Sequence, residues 1–145
     1  MLTTLGQGDL EEVLGLYEHF DRVDPIAIAT AQHRWDAILS TPGLQVFGVH
    51  EGGRLVGSCV LQVTPNLRVG GRPFALLENV VVHRDHRRQG VGTSMVKAVL
   101  QEAWKVNCYK LMLLTGVGNP HTQSFYAEAG FDGDEKRGYI ARPPG

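Results

Sequence analysis

An apolar run, FALLENVVV at residues 74–82, followed by HRDHRRQGVG and then by TSMVKAVLQEAWKV, constrains this chain more than any other feature. Its nearly continuous apolar character, broken only by Glu78 and Asn79, predicts a central strand buried on both faces. Beyond the glycines, Met95, Val96, Val99, Leu100 and Ala103 recur at helical spacing, with Thr93 in the first turn. A second apolar segment, YKLMLLTGVG, follows that helix. Strand, helix and strand in this order predict a right-handed crossover with the two strands parallel and side by side.

The flanks add the remaining elements. Asp9 reads as the N-cap of a helix whose face carries Leu10, Val13, Leu14 and Tyr17, and which DRVDP ends. Residues 26–39 show helical spacing through Ile28, Ala31, Trp35, Ile38 and Leu39. LQVFGVH, the turn EGGR and LVGSCVLQV read as a hairpin. NPHTQSFYAEAG predicts a short helix, and YIARP a final strand. At 145 residues this is one domain, 1–145, of mixed α/β class.

Charge and cysteine usage narrow the classes. A formal net charge of -1 supplies no field to hold nucleic acid or an acidic membrane. Cys59 and Cys108 are far apart without metal-ligand spacing, and read as core residues of a cytoplasmic protein. His83 and His86 flank Asp85, yet on a turn full of arginines they read as solvated loop residues, so no metal is assigned.

Gly90 and Gly92 at a strand-to-helix junction let backbone N–H groups point inward and leave room for a ligand. With the helix dipole, Arg87 and Arg88 behind it, that turn suits a phosphate or pyrophosphate. A Walker loop would end in Gly-Lys-Ser/Thr, which is absent. A dinucleotide fingerprint would place a third glycine where Met95 stands.

RRQGVG, residues 87–92, resembles the R/Q-x-x-G-x-G/A signature of the GNAT superfamily of acyl-CoA N-acyltransferases, and it follows a strand ending VVV as in that family. Asn119 and Tyr126 in NPHTQSFYAEAGF are similar to the family's N-x-x-A-x-x-x-Y followed by Gly-Phe, with Thr122 in place of the alanine. The order of elements resembles the family over essentially the whole chain. ENVVV and NCYK also look similar to stretches of glucosamine-6-phosphate N-acetyltransferases within it.

The resemblance implies a mostly antiparallel mixed sheet in which a splayed parallel strand pair holds acetyl-CoA. It places the pyrophosphate on the amides of Arg87, Arg88, Gln89, Gly90, Val91, Gly92 and Thr93, and the pantetheine arm against the backbone of Val80, Val81 and Val82. Asn119 would bind pantetheine or cap the short helix. Acyl transfer to an amine needs a base and an acid. Glu78, in an apolar strand where burial would raise its pKa, is the base candidate. Tyr126 matches the tyrosine whose hydroxyl approaches the CoA sulfur. Asp21 and Asp24 stand where the family places its acceptor wall, and His121 is a further substrate contact. The expected reaction is direct attack of a small-molecule primary amine on acetyl-CoA in a ternary complex. The alternatives are a protein lysine or N-terminal acetyltransferase, and a non-catalytic CoA-binding module. Members of the family often pair, which admits a homodimer.

Overall fold

Gly52 and Gly53, both at positive φ (56° and 76°), close the turn between strands β2 (Leu44–Glu51) and β3 (Arg54–Thr64). Positive φ at both central residues gives the turn a twist that matches the strands, so the hairpin register is set locally. The computed structural model describes residues 1–145. A short strand β1 (Leu2–Thr4), absent from the sequence reading, pairs antiparallel with β2. Helices α1 (Leu10–Tyr17) and α2 (Ile28–Ser40) precede β2. Strand β4 (Phe74–Val82), helix α3 (Val91–Lys105), strand β5 (Leu111–Met112) and helix α4 (Pro120–Glu128) complete the order. One sheet runs β1-β2-β3-β4-β5, antiparallel except for the parallel β4–β5 pair, as the crossover required.

Two apolar cores lie on opposite faces of the sheet. Helix α3 covers one, where Met95, Val96, Val99 and Ala103 meet Cys59, Leu61, Ala75 and Leu77. Helices α1 and α2 cover the other, where Val13, Leu16 and Trp35 meet Val46, Leu55 and Val81. The Trp35 indole N–H donates to the Gly6 carbonyl (3.1 Å), and Glu12 accepts the Leu55 amide (3.0 Å), so polar atoms in these helices stay paired.

Strand β4 carries the irregularity on which the site depends. Its register with β3 jumps from Val60↔Glu78 to Ser58↔Val81, which leaves one extra residue on β4. Asn79 stands there at φ 52°, a left-handed conformation that asparagine tolerates better than other non-glycine residues. The extra residue reverses the alternation: Ala75 and Leu77 before the bulge face α3, and so do Val80 and Val82 after it, while Val81 joins the α1–α2 core.

Several expectations are corrected. Strand β4 packs into both cores, Ala75, Leu77, Val80 and Val82 on one face and Val81 on the other, but Glu78 and Asn79 are exposed, and β5 borders it only through Ala75↔Leu111 and Leu76↔Met112. YIARP forms no strand: Tyr139 and Ile140 are exposed neighbours rather than alternating residues, and Pro143 and Pro144 lack the N–H a ladder needs. Asp9 does not cap α1 by its side chain. It sits in a one-turn 3-10 helix, Gln7–Asp9, and its carboxylate accepts the Gly6 amide at 2.7 Å. Helix α3 does carry Thr93 in its first turn, as expected; it starts at Val91, so Gly92 lies inside it. No helix is long and apolar enough to cross a membrane.

Truncating Leu77, 2% exposed between β3 and α3, to alanine removes a buried isobutyl group at the joint of strand and helix. The Leu77→Ala variant is expected to lose about 2–5 kcal/mol of stability, measured by urea unfolding.

Candidate functional site

A cleft of about 1100 Å³ opens where β5 stops pairing with β4. Its floor is the free edge of β4 at Val80, Val81 and Val82. One wall is the start of α3, with Gly92, Thr93, Ser94 and Lys97; α4 forms another, with Asn119, His121, Phe125 and Tyr126. His19, Phe20 and Asp21, just past α1, close one end.

The turn between β4 and α3 is shaped by backbone conformation. Arg88 (φ 61°) and Gly90 (φ 82°) are both left-handed, which turns the amides before α3 toward the cleft. Gly92 plays a different part from Gly90. A Cβ there would come within 3.0 Å of Phe125 Cε2 and 3.2 Å of Val82 Cγ2, so glycine lets α3, α4 and β4 close on one another. The open edge of β4 and the N-terminal amides of α3 thus border the same cleft, where an anion or an extended chain can meet unpaired N–H groups.

Tyr126 is half-buried, packed edge-on against Phe125 (4.6 Å between centroids) and Phe131 (5.8 Å). Burial, with smaller contributions from Cys59 and Glu78, raises its pKa above 10, so the hydroxyl stays protonated at neutral pH. Glu78 is close enough for its charge to act on Tyr126 but does not line the cleft, and its side chain is exposed rather than buried as its apolar neighbours suggested. Asn119 caps α4, its Oδ1 accepting the amides of His121 (3.1 Å) and Thr122 (3.3 Å), with Pro120 opening the helix.

Other expected residues divide. Asp21 and His121 line the cleft; Asp24 does not, and pairs instead with Arg22 (2.9 Å). Gln89 and Val91 do not line the cleft; they border a smaller recess beside Met1 and Val49, and the Gln89 side-chain amide donates to Asp85 O (3.2 Å). Arg88 lines the cleft, whereas the Arg87 guanidinium, also at its edge, donates to two carbonyls, Val82 O (3.0 Å) and His19 O (2.7 Å).

Sequence reasoning missed the histidine cluster beneath this turn. His83 is 5% exposed rather than solvated; its Nδ1 accepts the Asp85 amide (3.1 Å) and its Nε2 lies 2.8 Å from Arg54 Nη2. His19 stacks on it with ring centroids 4.0 Å apart, and His86 pairs with Glu51 at 2.9 Å. Arg54 lies 29 residues from His83, and His19 lies 65 residues from Arg84, whose amide it accepts, so no local signal marks them. Lys97 could have been found: it lies one turn beyond Thr93 on the same helical face.

Neither thiol is equipped as a nucleophile. Cys59 is fully buried with its pKa pushed up to about 12, and burial raises that of Cys108 as well.

An open strand edge, a glycine turn leading into a helix, and a half-buried tyrosine thus share one cleft. The model of the acetyltransferase (GNAT) family matches residues 11–131. The chain belongs to that family, and is an acetyl-CoA-dependent N-acyltransferase. It is 28% identical over 142 residues to a glucosamine 6-phosphate N-acetyltransferase of Trypanosoma brucei brucei, covering 94% of this chain and 91% of that protein. A putative acetyltransferase from Agrobacterium tumefaciens superposes with a TM-score of 0.94 at 37% identity, over 99% of each chain. A Trypanosoma brucei acetyltransferase superposes at 0.81 with 26% identity, over 98% of this chain and 99% of that one.

His83 and His19 both hold pKa values below 6.5, through burial first, then through Arg54 for His83, and through His83 and Arg84 for His19; Asp85 opposes the shift in both. A depressed folded pKa means that the unfolded chain takes the proton more readily, so the stability present above pH 6.5 is lost as pH falls below it. Thermal unfolding is expected to show a falling midpoint from pH 7 to about 5. The slope should flatten in His83→Asn, whose carbonyl can still accept the Asp85 amide.

Proposed function

We propose that this protein moves the acetyl group of acetyl-CoA to the primary amine of a small polar molecule, by direct attack within a ternary complex. The observation that carries the reading is the continuity of one cleft, from the free β4 edge at Val80–Val82 through the glycine turn to Tyr126. The backbone of Val80 and the N–H of Val82, whose carbonyl already accepts Arg87 Nε, offer the hydrogen bonds of a missing neighbour strand to pantetheine. The amides of Arg87–Thr93, at the positive end of α3, receive the pyrophosphate.

Glu78, exposed at the bulge, takes a proton from the substrate ammonium, directly or through water. The freed amine attacks the thioester carbonyl, the C–S bond breaks, and the departing thiolate takes the Tyr126 hydroxyl proton. The high pKa of Tyr126 keeps that proton in place until the thiolate forms. Cys59 and Cys108 are too buried to carry the acetyl group, which supports transfer without a covalent enzyme intermediate.

A cationic acceptor is supported by Asp21 at the end of the cleft beside His19 and Phe20. Because a relative matching over most of both chains is named as acting on glucosamine 6-phosphate, amino sugars and their phosphates are the first acceptors to try.

Acetyl-CoA at about 100 times its Kd is expected to stabilise the fold by about 2.7 kcal/mol in thermal unfolding. Thiol release should then depend on an amine from a panel of amino sugars, polyamines and peptides. Tyr126→Phe is expected to lower kcat by about a hundredfold or more on the best acceptor. Turnover on peptides alone would replace the small-molecule reading with a protein-directed one, and the absence of stabilisation by acetyl-CoA would remove the reading altogether.

A further inference from the structure

One cluster lies outside the chemistry of acetyl transfer: the contacts that join the end of α1 to the turn after β4. His19 Nδ1 accepts the backbone amide of Arg84 (3.2 Å) and its Nε–H (3.1 Å). The His19 carbonyl accepts Arg87 Nη2 at 2.7 Å, while Arg87 Nε donates to Val82 O at 3.0 Å. One guanidinium thus spans the last residue of the cofactor strand and the residue that leads into Phe20 and Asp21. Beyond His19 the connection is lightly held. Residues 21–30 are all exposed, and the ion pair there, Arg22–Asp24, is internal to the segment.

We propose that Arg87 is a positioning residue whose side chain clamps the acceptor wall to the cofactor strand, and does not serve to grip phosphate. The planar guanidinium is suited to this because its N–H groups diverge at fixed angles and reach two carbonyls at once. The pyrophosphate is served by backbone amides and the helix dipole, which need no side-chain cation. Clamping matters because the amine must meet the thioester within a few tenths of an ångström, and a wall that swings free loses that placement. The inference rests on the reading that this cleft holds acetyl-CoA and an amine.

Hydrogen exchange of the full chain without ligand tests the clamp. Arg87→Met is expected to speed amide exchange in the segment 18–22 by about tenfold or more, with the amides of α3 and the start of β4 unchanged. Arg87→Lys restores the charge but cannot span both carbonyls, and is expected to behave like Arg87→Met in exchange. Calorimetric titration with acetyl-CoA adds the second readout: the Lys and Met variants should bind with matching affinity. Exchange at 18–22 that stays at the wild-type rate overturns the clamp. So does a Lys variant that binds acetyl-CoA about tenfold more tightly than the Met variant, since charge alone would then be the working property. Failure of wild-type protein to bind acetyl-CoA would overturn the functional reading and leave the exchange result standing, so the two failures are distinguishable.

Discussion

The extra residue at Asn79 and the early end of β5 act together, and the site depends on both. A strand edge inside a protein must place its N–H and C=O groups somewhere. Here β5 satisfies β4 only as far as Leu76, and the bulge turns Val80 and Val82 so that their side chains join the α3-facing core while their backbone edge stays open. The valines hold the strand in place by burial, which frees the peptide groups for a ligand that imitates a strand. Asn79 tolerates the left-handed backbone that this arrangement demands, where a β-branched residue would be strained.

Electrostatics around the cleft follow from which groups are already engaged. Arg54, Arg84 and Arg87 are bound to histidines and carbonyls, so their side chains fasten the turn and the end of α1. Arg88 and Lys97 line the cleft without such partners and leave positive potential for an anion. Burial of His83, with the Arg54 guanidinium 2.8 Å from its Nε2, disfavours the charged ring and holds its pKa below the ordinary imidazole value. On the opposite wall the aromatic packing of Tyr126 keeps its hydroxyl protonated, which suits a proton donor to a thiolate.

Patterns short enough to be read along the chain survived in the structure. The glycine hairpin, the helical stripes of α1, α2 and α3, and the parallel β4–β5 crossover all reflect local periodicity or a chirality rule. The Asn119 cap was equally legible, because a cap depends on residues within four positions. What escaped depends on contacts across long separations. Glu78 looked buried because its neighbours are apolar, yet whether a strand side chain is covered is decided by what packs on that face of the sheet, and Glu78 at the bulge belongs to neither core. The contact of Arg87 to the His19 carbonyl, 68 residues away, left no mark in the glycine motif where Arg87 stands. YIARP had the composition of a strand without a sheet edge to join.

The central claim is that acetyl-CoA lies along the free edge of β4 with its pyrophosphate on the turn into α3. Residue-resolved amide exchange of wild-type protein with and without acetyl-CoA measures this directly. The account predicts new protection concentrated at Val80, Val82 and Gly90–Thr93, whose N–H groups the sheet and helix leave open, while Val81 stays protected by β3 throughout. Protection elsewhere, with those amides exchanging as before, would contradict it.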